Sequence, residues 1–283
     1  MPEGDTIFRA ATALHRALAG RVVTGFETGF AQLARMHDDA PLTGRTVESC
    51  EPVGKHLLIR FSGDLILRTH MRMSGSWHLY RPGEAWQRPG RDMRVRIDTN
   101  DWVAVAFTVP VAEFLHARDL VRSRALAALG PDLLSPTFDR DEALRRLAAA
   151  GTRPIADVLL DQRVVAGIGN VFKSEVLFLS GIHPDRTAGS LSDDERAKIL
   201  DTAVPLMRSN TGPGAGAEIV TYRGLRRTTR RARAEENLWV YGRPGATCRR
   251  CGSVIHSARR GLDARATFWC PRCQPQLSRG LAP

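Results

Sequence analysis

The chain begins Met-Pro-Glu-Gly-Asp, and its second and third residues are of types that can do chemistry together. A methionine before a small residue such as Pro2 is normally removed, which leaves a secondary amine at the terminus. Such an amine can attack an aldehyde carbon and form an iminium, and it loses its proton at lower pH than lysine does. Glu3 stands beside it as a candidate proton donor or acceptor. The alternative is a frayed terminus with a coincidental Pro-Glu pair, and this stretch alone favours that alternative.

Four of the five cysteines have the spacing of a zinc site. Cys248 and Cys251 form one Cys-x-x-Cys turn, and Cys270 and Cys273 form a second one further along. Two such turns supply the four thiolates of tetrahedral zinc, and four protein ligands close the site, so we expect one structural zinc ion, Zn2+. Two disulfides are the alternative, which a cytosolic protein disfavours. The remaining Cys50 is predicted to be a small buried hydrophobic residue.

Two basic segments are candidates for contact with phosphates. Between the cysteine pairs, residues 253–269 alternate as a β-hairpin would, with Arg265 near its tip. A basic hairpin tip can bind a phosphate or enter a groove. Residues 223–233 (RGLRRTTRRAR) are rich in arginine and hold no acid. As a bare sequence feature, Arg265 favours the alternative of solvated surface, whereas the run 223–233 fits phosphate contact and solvated surface equally.

Residues 165–171 (VAGIGNV) join two predicted helices. Gly167 and Gly169 permit a tight turn, and the second helix is predicted to begin near Asn170. The N–H groups at a helix N-terminus favour anions, and the side-chain amide of Asn170 could bond a phosphate. The alternative, which the spacing alone favours, is that Asn170 only caps the helix.

The composition is that of a globular chain attracted to polyanions. Of the 283 residues 43% are hydrophobic, which is enough for a core, and the formal net charge is +11. A basic chain of this size points to nucleic acid, although arginine-rich proteomes give the same charge. The sequence has neither an apolar run of about 18 residues, as a membrane helix needs, nor a signal-peptide pattern. We therefore expect a cytoplasmic protein with no membrane partner.

The first part of the chain is predicted to be one helix followed by short strands. Residues 5–20 have helical periodicity, with Asp5 or Thr6 as the predicted cap. Alternating segments separated by turn residues then run from 21 to 115 and indicate an antiparallel β-sandwich. The apolar stripe of the helix consists of Ile7, Ala10, Ala11, Leu14 and Leu18, and the clearest strands are 56–61, 64–71, 92–98 and 102–108.

The second part of the chain is predicted to be helical, with a loop at 212–236 before the cysteine module. The helical segments are 139–151, 153–167, 169–181 and 192–210, separated by glycine and proline. The composition shifts then predict four regions. These are an N-terminal β-sandwich domain at 1–120, a hinge linker at 121–136, a helical domain with a basic loop at 137–237, and a zinc hairpin with a tail at 238–283.

Taken together, these segments resemble the formamidopyrimidine-DNA glycosylase and endonuclease VIII family. The resemblance rests on the Pro-Glu-Gly start before a helix, Lys55 in GKHLL, the turn in LLDQRVVAGIGNVFKSE, and RATFWCPRC near the end. The resemblance covers essentially the whole chain, and its motifs follow one another in the same order as in the family. The PEGDT opening and the VYGRPGATCRRCG stretch are most similar to endonuclease VIII of the actinobacterial kind.

The resemblance implies an α+β fold of two domains. The N-terminal domain would be an antiparallel β-sandwich with a leading helix, and the C-terminal one a helix–two-turn–helix domain with a four-cysteine zinc-finger β-hairpin. The family binds damaged DNA in a basic cleft between the domains, bent and with the damaged nucleotide flipped out. The chain is accordingly expected to be a monomer in the cytoplasm, associated with the nucleoid. No metal or small-molecule cofactor would take part in the chemistry.

The resemblance also assigns roles residue by residue. Pro2 would be the nucleophile on C1′ of the damaged nucleotide, and Glu3 would protonate the sugar ring oxygen. Lys55, Asn170 and Arg265 would hold the phosphates that flank the lesion. Successive β- and δ-elimination would then break the strand on both sides and leave a gap of one nucleotide.

Residues 70–75 (HMRMSG) match a second part of the family's DNA-binding surface. Met73 corresponds to the residue that fills the hole left by the flipped base, which offsets an unstacking cost of a few kcal/mol. His70 lies in the same segment and is expected to contact DNA. The alternative for Met73 is a core methionine on a strand.

The chain departs from the family pattern at three places. Thr6 stands where many relatives carry a second acid, which affects how the lesion or the Pro2 amine is oriented. Residues 109–115 contain no evident Arg-X-Phe wedge, and 212–236 contain no clear counterpart of the loop that covers flipped 8-oxoguanine. Both absences favour oxidised pyrimidines as the substrate.

Two other functions fit part of the sequence. One is a glycosylase that acts on 8-oxoguanine and formamidopyrimidines, and the other is a catalytically silent protein that binds damaged DNA. The zinc hairpin and the arginines fit the silent protein equally well, whereas Pro2 and Glu3 favour the enzyme. A zinc-binding transcription factor would leave residues 1–120 without a role.

Overall fold

The computed structural model describes residues 2–120, 122–212, 227–229, 237–261 and 264–276. They fall into two compact units, one made of residues up to Ala128 together with 211–212, the other of Leu129–Asn210 and the described residues after 226. Most of the predicted loop at 212–236 and most of the arginine-rich run at 223–233 lie outside the described residues. Within the described ranges, no helix is long and apolar enough to cross a membrane.

Helix α1 (Gly4–Leu18) opens the first unit and buries its predicted apolar stripe completely. The predicted cap is wrong, because the N-cap residue is Glu3 rather than Asp5 or Thr6. Glu3 is extended, and its main-chain carbonyl accepts hydrogen bonds from the N–H groups of Thr6 and Ile7, each at 3.0 Å. Asp5 therefore lies inside the first turn, where the helix dipole favours a carboxylate.

Eight strands form two four-stranded antiparallel sheets, as the alternating segments predict. The first sheet has the order β1-β6-β7-β5 and the second the order β2-β3-β4-β8. The strands are β1 (Gly25–Thr28), β2 (Val47–Val53), β3 (His56–Phe61), β4 (Leu65–His70), β5 (Ser76–Tyr80), β6 (Met93–Asp98), β7 (Val103–Phe107) and β8 (Val111–His116), and helix α2 (Ala31–Asp39) follows β1.

Both sheets and α1 contribute to one apolar core. Leu57, Ile59 and Phe61 alternate along β3 into this core, while Trp77 and Leu79 enter it from β5. This alternation is the period of two by which successive side chains of a strand point to opposite faces. The arrangement confirms a sandwich with a leading helix, because α1 packs on β2, β3 and β5.

Short helices α3 (Ala117–Leu120) and α4 (Arg124–Ala127) follow β8. The second unit contains α5 (Arg140–Ala149), α6 (Ile155–Val158), α7 (Asn170–Ser180) and α8 (Asp193–Arg208). The predicted helix at 153–167 is wrong beyond its first turn, since α6 ends at Val158 and turns follow. The Gln162 side chain holds those turns by accepting from Gly167 N–H and donating to the carbonyls of Leu160 and Ile168.

The cysteine module ends in the predicted hairpin, formed by β9 (His256–Arg260) and β10 (Arg265–Trp269). Its small core joins Ile255 and Cys270 to Phe178 on α7. A buried carboxylate also fastens the module to α7, because Glu175 accepts from the N–H groups of Trp239, Val240 and Tyr241. Burial raises the pKa of Glu175, and these donors act in the opposite direction.

Candidate active site and nucleic-acid interface

Pro2 and Glu3 are held at the start of α1. Both residues are buried, as are the next four along the chain, which contradicts the frayed-terminus interpretation. The Glu3 side chain does not cap the helix, since the cap acceptor is the main-chain carbonyl. The terminus is thus an integral part of the first unit, and a carboxylate stands directly beside the residue predicted to be the nucleophile. The catalytic roles of Pro2 and Glu3 stay predictions.

Lys55 lies in the turn that joins β2 to β3. Gly54 adopts a φ of +58° there, a conformation that favours glycine, and Lys55 is half-buried. The next residue, His56, begins β3 and pairs with His70 at the end of β4. Burial lowers the pKa of His70, and the charges of Arg72 and Lys55 add to the effect, so two of the predicted site residues, Lys55 and His70, lie near each other.

A cluster of basic side chains surrounds this pair of histidines. Arg68 donates from Nη1 to His56 Nδ1 at 3.0 Å and from Nε to Glu113 Oε1 at 2.7 Å. Burial lowers the pKa of His56 to about 3, with the charges of His70 and Arg68 adding to the effect. Burial also lowers the pKa of His70 to about 4, with Arg72, Lys55 and Arg68 contributing. Both imidazoles are therefore neutral at pH 7.

His56 and Arg68 are not among the site residues predicted from the sequence. Arg68 is buried and stands opposite Glu113 in the register of β4 and β8. An arginine within a strand does not by itself mark a site, and only the strand pairing shows that Arg68 meets Glu113 and His56. A single sequence does not determine the register in which two strands pair.

Met73 is at the tip of a tight turn between β4 and β5. Its side chain is 62% exposed, which contradicts the core alternative, while Met71 two residues earlier is 1% exposed and belongs to the core. His70 Nδ1 accepts from Arg72 N–H at 3.1 Å, and Arg72 has a φ of +47°. The N–H group of Gly75 donates to the Met71 carbonyl at 2.9 Å and closes the turn. A side chain at position 75 would clash with the backbone of Met71.

Asn170 is the first residue of α7 and is buried. The N-cap residue is Gly169, so the interpretation of Asn170 as the cap is wrong. Its side-chain oxygen instead accepts from Lys173 Nζ at 2.7 Å. The side chain is thus held at the start of a helix, where an anion is favoured, and its phosphate role stays a prediction.

Arg265 begins β10 and pairs with Arg260 across the hairpin, which confirms its predicted place near the tip. The turn residue Ala264 has a φ of +47°, and the Arg259 guanidinium donates to its carbonyl at 3.3 Å. Lys173 reaches the same strand, since its Nζ lies 2.7 Å from Thr267 Oγ1. The second unit therefore links Asn170 to the strand that carries Arg265.

The four cysteines converge on one point. All four sulfur atoms lie within 4.8 Å of one another, with 3.9 Å between Cys248 and Cys273 and 3.4 Å between Cys251 and Cys270. Four thiolates around zinc at about 2.3 Å are separated by similar distances, so the donor set fits a tetrahedral zinc ion. The disulfide alternative is wrong, because all of them are free thiols. Cys50 is buried as predicted, and burial raises its pKa to about 12.

Three family models match the chain in the order of its structural units. The formamidopyrimidine-DNA glycosylase N-terminal domain matches residues 1–110, and the H2TH domain of the same glycosylase matches 129–219. The zinc finger found in FPG and IleRS matches 245–276. The chain belongs to the formamidopyrimidine-DNA glycosylase and endonuclease VIII family, and its zinc site is structural.

The similar proteins include actinobacterial ones, in agreement with the resemblance of the PEGDT opening. A probable endonuclease 8 2 of Streptomyces coelicolor is 42% identical over 97% of this chain and 94% of its own length. The DNA-(apurinic or apyrimidinic site) lyase Nei2 of Mycolicibacterium smegmatis is 38% identical over 97% of this chain and 99% of its own length. The Lactococcus lactis Fpg, solved with abasic-site DNA, shares the fold with a TM-score of 0.82 at 22% identity, over 97% of this chain and all of its own.

Proposed function

We propose that this chain excises oxidised pyrimidines from DNA through an iminium formed by Pro2 and then cleaves the strand by β,δ-elimination. As a member of its family the chain is a DNA glycosylase and apurinic/apyrimidinic lyase of base excision repair. The observation that carries the proposal is the burial of Pro2 beside Glu3 at the start of α1. A terminus fixed in this way suits an amine that must meet one carbon atom.

The chemistry requires the amine of Pro2, exposed by removal of Met1. Its nitrogen attacks C1′ and loses its proton, and the glycosidic bond breaks with its electron pair going to the base, which takes up a proton. Glu3 gives a proton to the ring oxygen as the C1′–O4′ bond opens, so that an iminium forms. The iminium makes the C2′ proton acidic; its loss expels the 3′ phosphate, and a second elimination expels the 5′ phosphate. Water then releases the sugar remnant and restores the amine.

The remaining predicted residues would bind the DNA. Lys55 and Arg265 are cations, and Asn170 is an amide at a helix start, which are groups that bind phosphate. His70, neutral at pH 7, would contact the strand as a hydrogen-bond partner. Exposed Met73 would fill the hole left by the flipped nucleotide. The binding partner is thus damaged DNA, held by a monomer, with residues 121–136 proposed as the hinge.

Two observations support pyrimidines over 8-oxoguanine. The aromatic residue of 109–115 is Phe114, and it lies in the core of the first unit, where a wedge residue would have to be exposed. The similar actinobacterial proteins carry endonuclease 8 names. A Lactococcus lactis Fpg has also been solved with DNA that contains an oxidised pyrimidine, so the fold accepts such a lesion.

The test is an incision assay on matched duplexes that contain one 5-hydroxyuracil, one 8-oxoguanine or one abasic site. We expect the 5-hydroxyuracil and abasic duplexes to be cut to a gap with phosphate on both sides, and 8-oxoguanine to be cut more slowly. Faster cutting of 8-oxoguanine would reverse the substrate assignment. Binding of all three duplexes without cutting would identify a silent binding protein.

A further inference from the structure

Lys173 is a buried lysine whose ammonium group contacts hydrogen-bond acceptors on α7 and on the zinc hairpin. It lies in the first turns of α7, and only 1% of it is exposed. Its Nζ is 2.7 Å from Asn170 Oδ1, 2.7 Å from Thr267 Oγ1 and 3.4 Å from the Ala266 carbonyl. A lysine ammonium has three N–H donors, so these three contacts suit the charged group.

The contact with Lys173 determines how the Asn170 amide is oriented. An ammonium group can only donate, and therefore it must face the oxygen of the amide rather than its nitrogen. The Nδ2 group, which carries the two N–H donors of Asn170, is consequently directed away from Lys173. A phosphate accepts hydrogen bonds, so this is the orientation in which Asn170 can bind one.

The same ammonium reaches across to the zinc hairpin. Thr267 and Ala266 are the neighbours of Arg265 on β10, and α7 packs against this strand. Another contact, from Phe268 N–H to Ser174 Oγ at 3.5 Å, joins the same two elements without involving the side-chain amide of Asn170. Lys173 is thus the residue that connects the Asn170 side chain to the strand of Arg265.

A purely structural role would be an unusual use of lysine here. Removing a charge from water is costly even when it is hydrogen-bonded, and an apolar side chain of similar length would fill the space. A cation in the first turns of a helix also opposes the helix dipole. Both disadvantages become advantages if an anion binds at the start of α7, because the buried charge then attracts it.

We propose that Lys173 is a positioning residue for DNA binding, which fixes the Asn170 amide toward a phosphate and keeps it in register with Arg265. This inference rests on the proposed function, in which Asn170 binds a DNA phosphate. The residue acts through Asn170 and adds its charge to the field at the helix start. Removing it should therefore have the effect of removing the Asn170 contact.

The test is a double-mutant cycle on affinity for a duplex with a tetrahydrofuran abasic analogue, which binds without being cut. Asn170→Ala should weaken binding about tenfold, a change equivalent to about 1.4 kcal/mol. Lys173→Met should weaken it to a similar extent, and the double variant no further than the more severe single one. Lys173→Met, which removes a positive charge, should also reduce the dependence of log K on log salt, whereas Asn170→Ala, which removes a neutral amide, should leave that dependence near wild type. Ser174→Ala, which removes the hydrogen bond from Phe268 N–H, should leave the affinity and the salt slope near wild type.

The outcomes separate the inference from the proposed function. Unchanged affinity in Asn170→Ala would mean that the phosphate contact itself is wrong. Weakened binding in Asn170→Ala but wild-type binding in Lys173→Met would overturn the inference alone, and so would additive effects in the double variant. Circular dichroism and zinc content establish whether each variant is folded.

Asn170→Asp decides the question if Lys173→Met does not fold. A carboxylate in that place would face the ammonium group as an ion pair, while the N–H donors would be lost and a negative charge added. We expect Asn170→Asp to melt at a higher temperature than Asn170→Ala and to bind the tetrahydrofuran duplex more weakly than it. A melting temperature no higher than that of Asn170→Ala would contradict the contact on which the inference depends.

Discussion

The imidazole rings of His56 and His70 meet edge to face across β3 and β4, with their centroids 4.6 Å apart at an angle of 75°. Each ring accepts a hydrogen bond at Nδ1, His56 from Arg68 and His70 from the main chain of Arg72. A protonated ring could not accept these bonds. The pair therefore joins the turn of Lys55 to the turn of Met73 only while both rings are neutral.

This pairing predicts that acid destabilises the fold. The pKa values of His56 and His70 are about 3 and about 4 in the folded chain, against about 6.5 in an unfolded one. Between pH 6.5 and pH 4 the unfolded chain binds more protons, so the free energy of unfolding falls as pH is lowered, by up to about 1.4 kcal/mol per pH unit for each histidine. Urea denaturation at pH 7, 6 and 5 measures the slope. His56→Gln with His70→Gln should flatten it, and an unaltered slope would contradict the assignment.

Met73 is predicted to matter for lesion excision and not for stability. Because its side chain is exposed, Met73→Ala should change the free energy of unfolding by no more than about 0.5 kcal/mol. Excision of 5-hydroxyuracil from duplex DNA should slow, since the unstacked site is left unfilled, while cleavage of single-stranded abasic DNA should be preserved. Met71→Ala is the matched control, because Met71 is buried and its truncation should cost about 2–5 kcal/mol. An equal loss of activity on duplex and on single-stranded DNA would contradict the role of Met73 in filling the hole left by the flipped nucleotide.

Glu3 should be needed more for base excision than for strand cleavage. Glu3→Gln keeps the shape of the side chain but removes its acid, and a general acid contributes about 10²–10⁴-fold to rate. An abasic sugar already has an open aldehyde form, so cleavage of abasic DNA does not require the ring to be opened by Glu3. We therefore expect a loss of at least about 100-fold on 5-hydroxyuracil with much smaller loss on an abasic site. A similar loss on both substrates would assign Glu3 to folding or binding.

Zinc should be required for DNA binding, and Cys50 should take no part in binding the zinc. Chelation removes the ion that Cys248, Cys251, Cys270 and Cys273 would bind and around which the hairpin folds. We expect one zinc ion per chain by atomic absorption, and loss of tetrahydrofuran-duplex binding when it is removed. Cys270→Ser should lose the metal and the binding, whereas Cys50→Ser should keep both. Retained affinity without zinc would exclude the hairpin from the interface.

The sequence predicts elements that depend on local patterns and misses those that depend on pairing. The stripe of α1, the strand at 56–61 and the cysteine spacing each lie within one segment, so their positions are correct. The helix predicted at 153–167 is wrong because the Gln162 side chain satisfies the backbone of a turn there, which residue composition does not reveal. Assignment of helix caps by residue type also fails at two helices. At α1 the acceptor is the main-chain carbonyl of Glu3, and at α7 the Asn170 side chain accepts from Lys173 instead of capping the helix.

The candidate site divides in the same way. The cysteines can be identified from their types and spacing, whereas the roles of Pro2 and Glu3 are predicted from the resemblance of the opening residues to the family, because the opening alone also fits a frayed terminus. His56, Arg68 and Lys173 are identified only by register or by a helix meeting a hairpin. They support other residues, so nothing in their own segments marks them.

The most direct test of the central claim is borohydride trapping on a duplex with one 5-hydroxyuracil, followed by peptide mapping of the trapped protein. The iminium is reduced to a stable bond, so its position identifies the nucleophile. The proposed role of Pro2 predicts a covalent complex whose DNA remnant is on an N-terminal peptide that starts at Pro2, and no complex from Pro2→Ala that still binds the duplex. A remnant on a lysine, or undiminished trapping by Pro2→Ala, would contradict it.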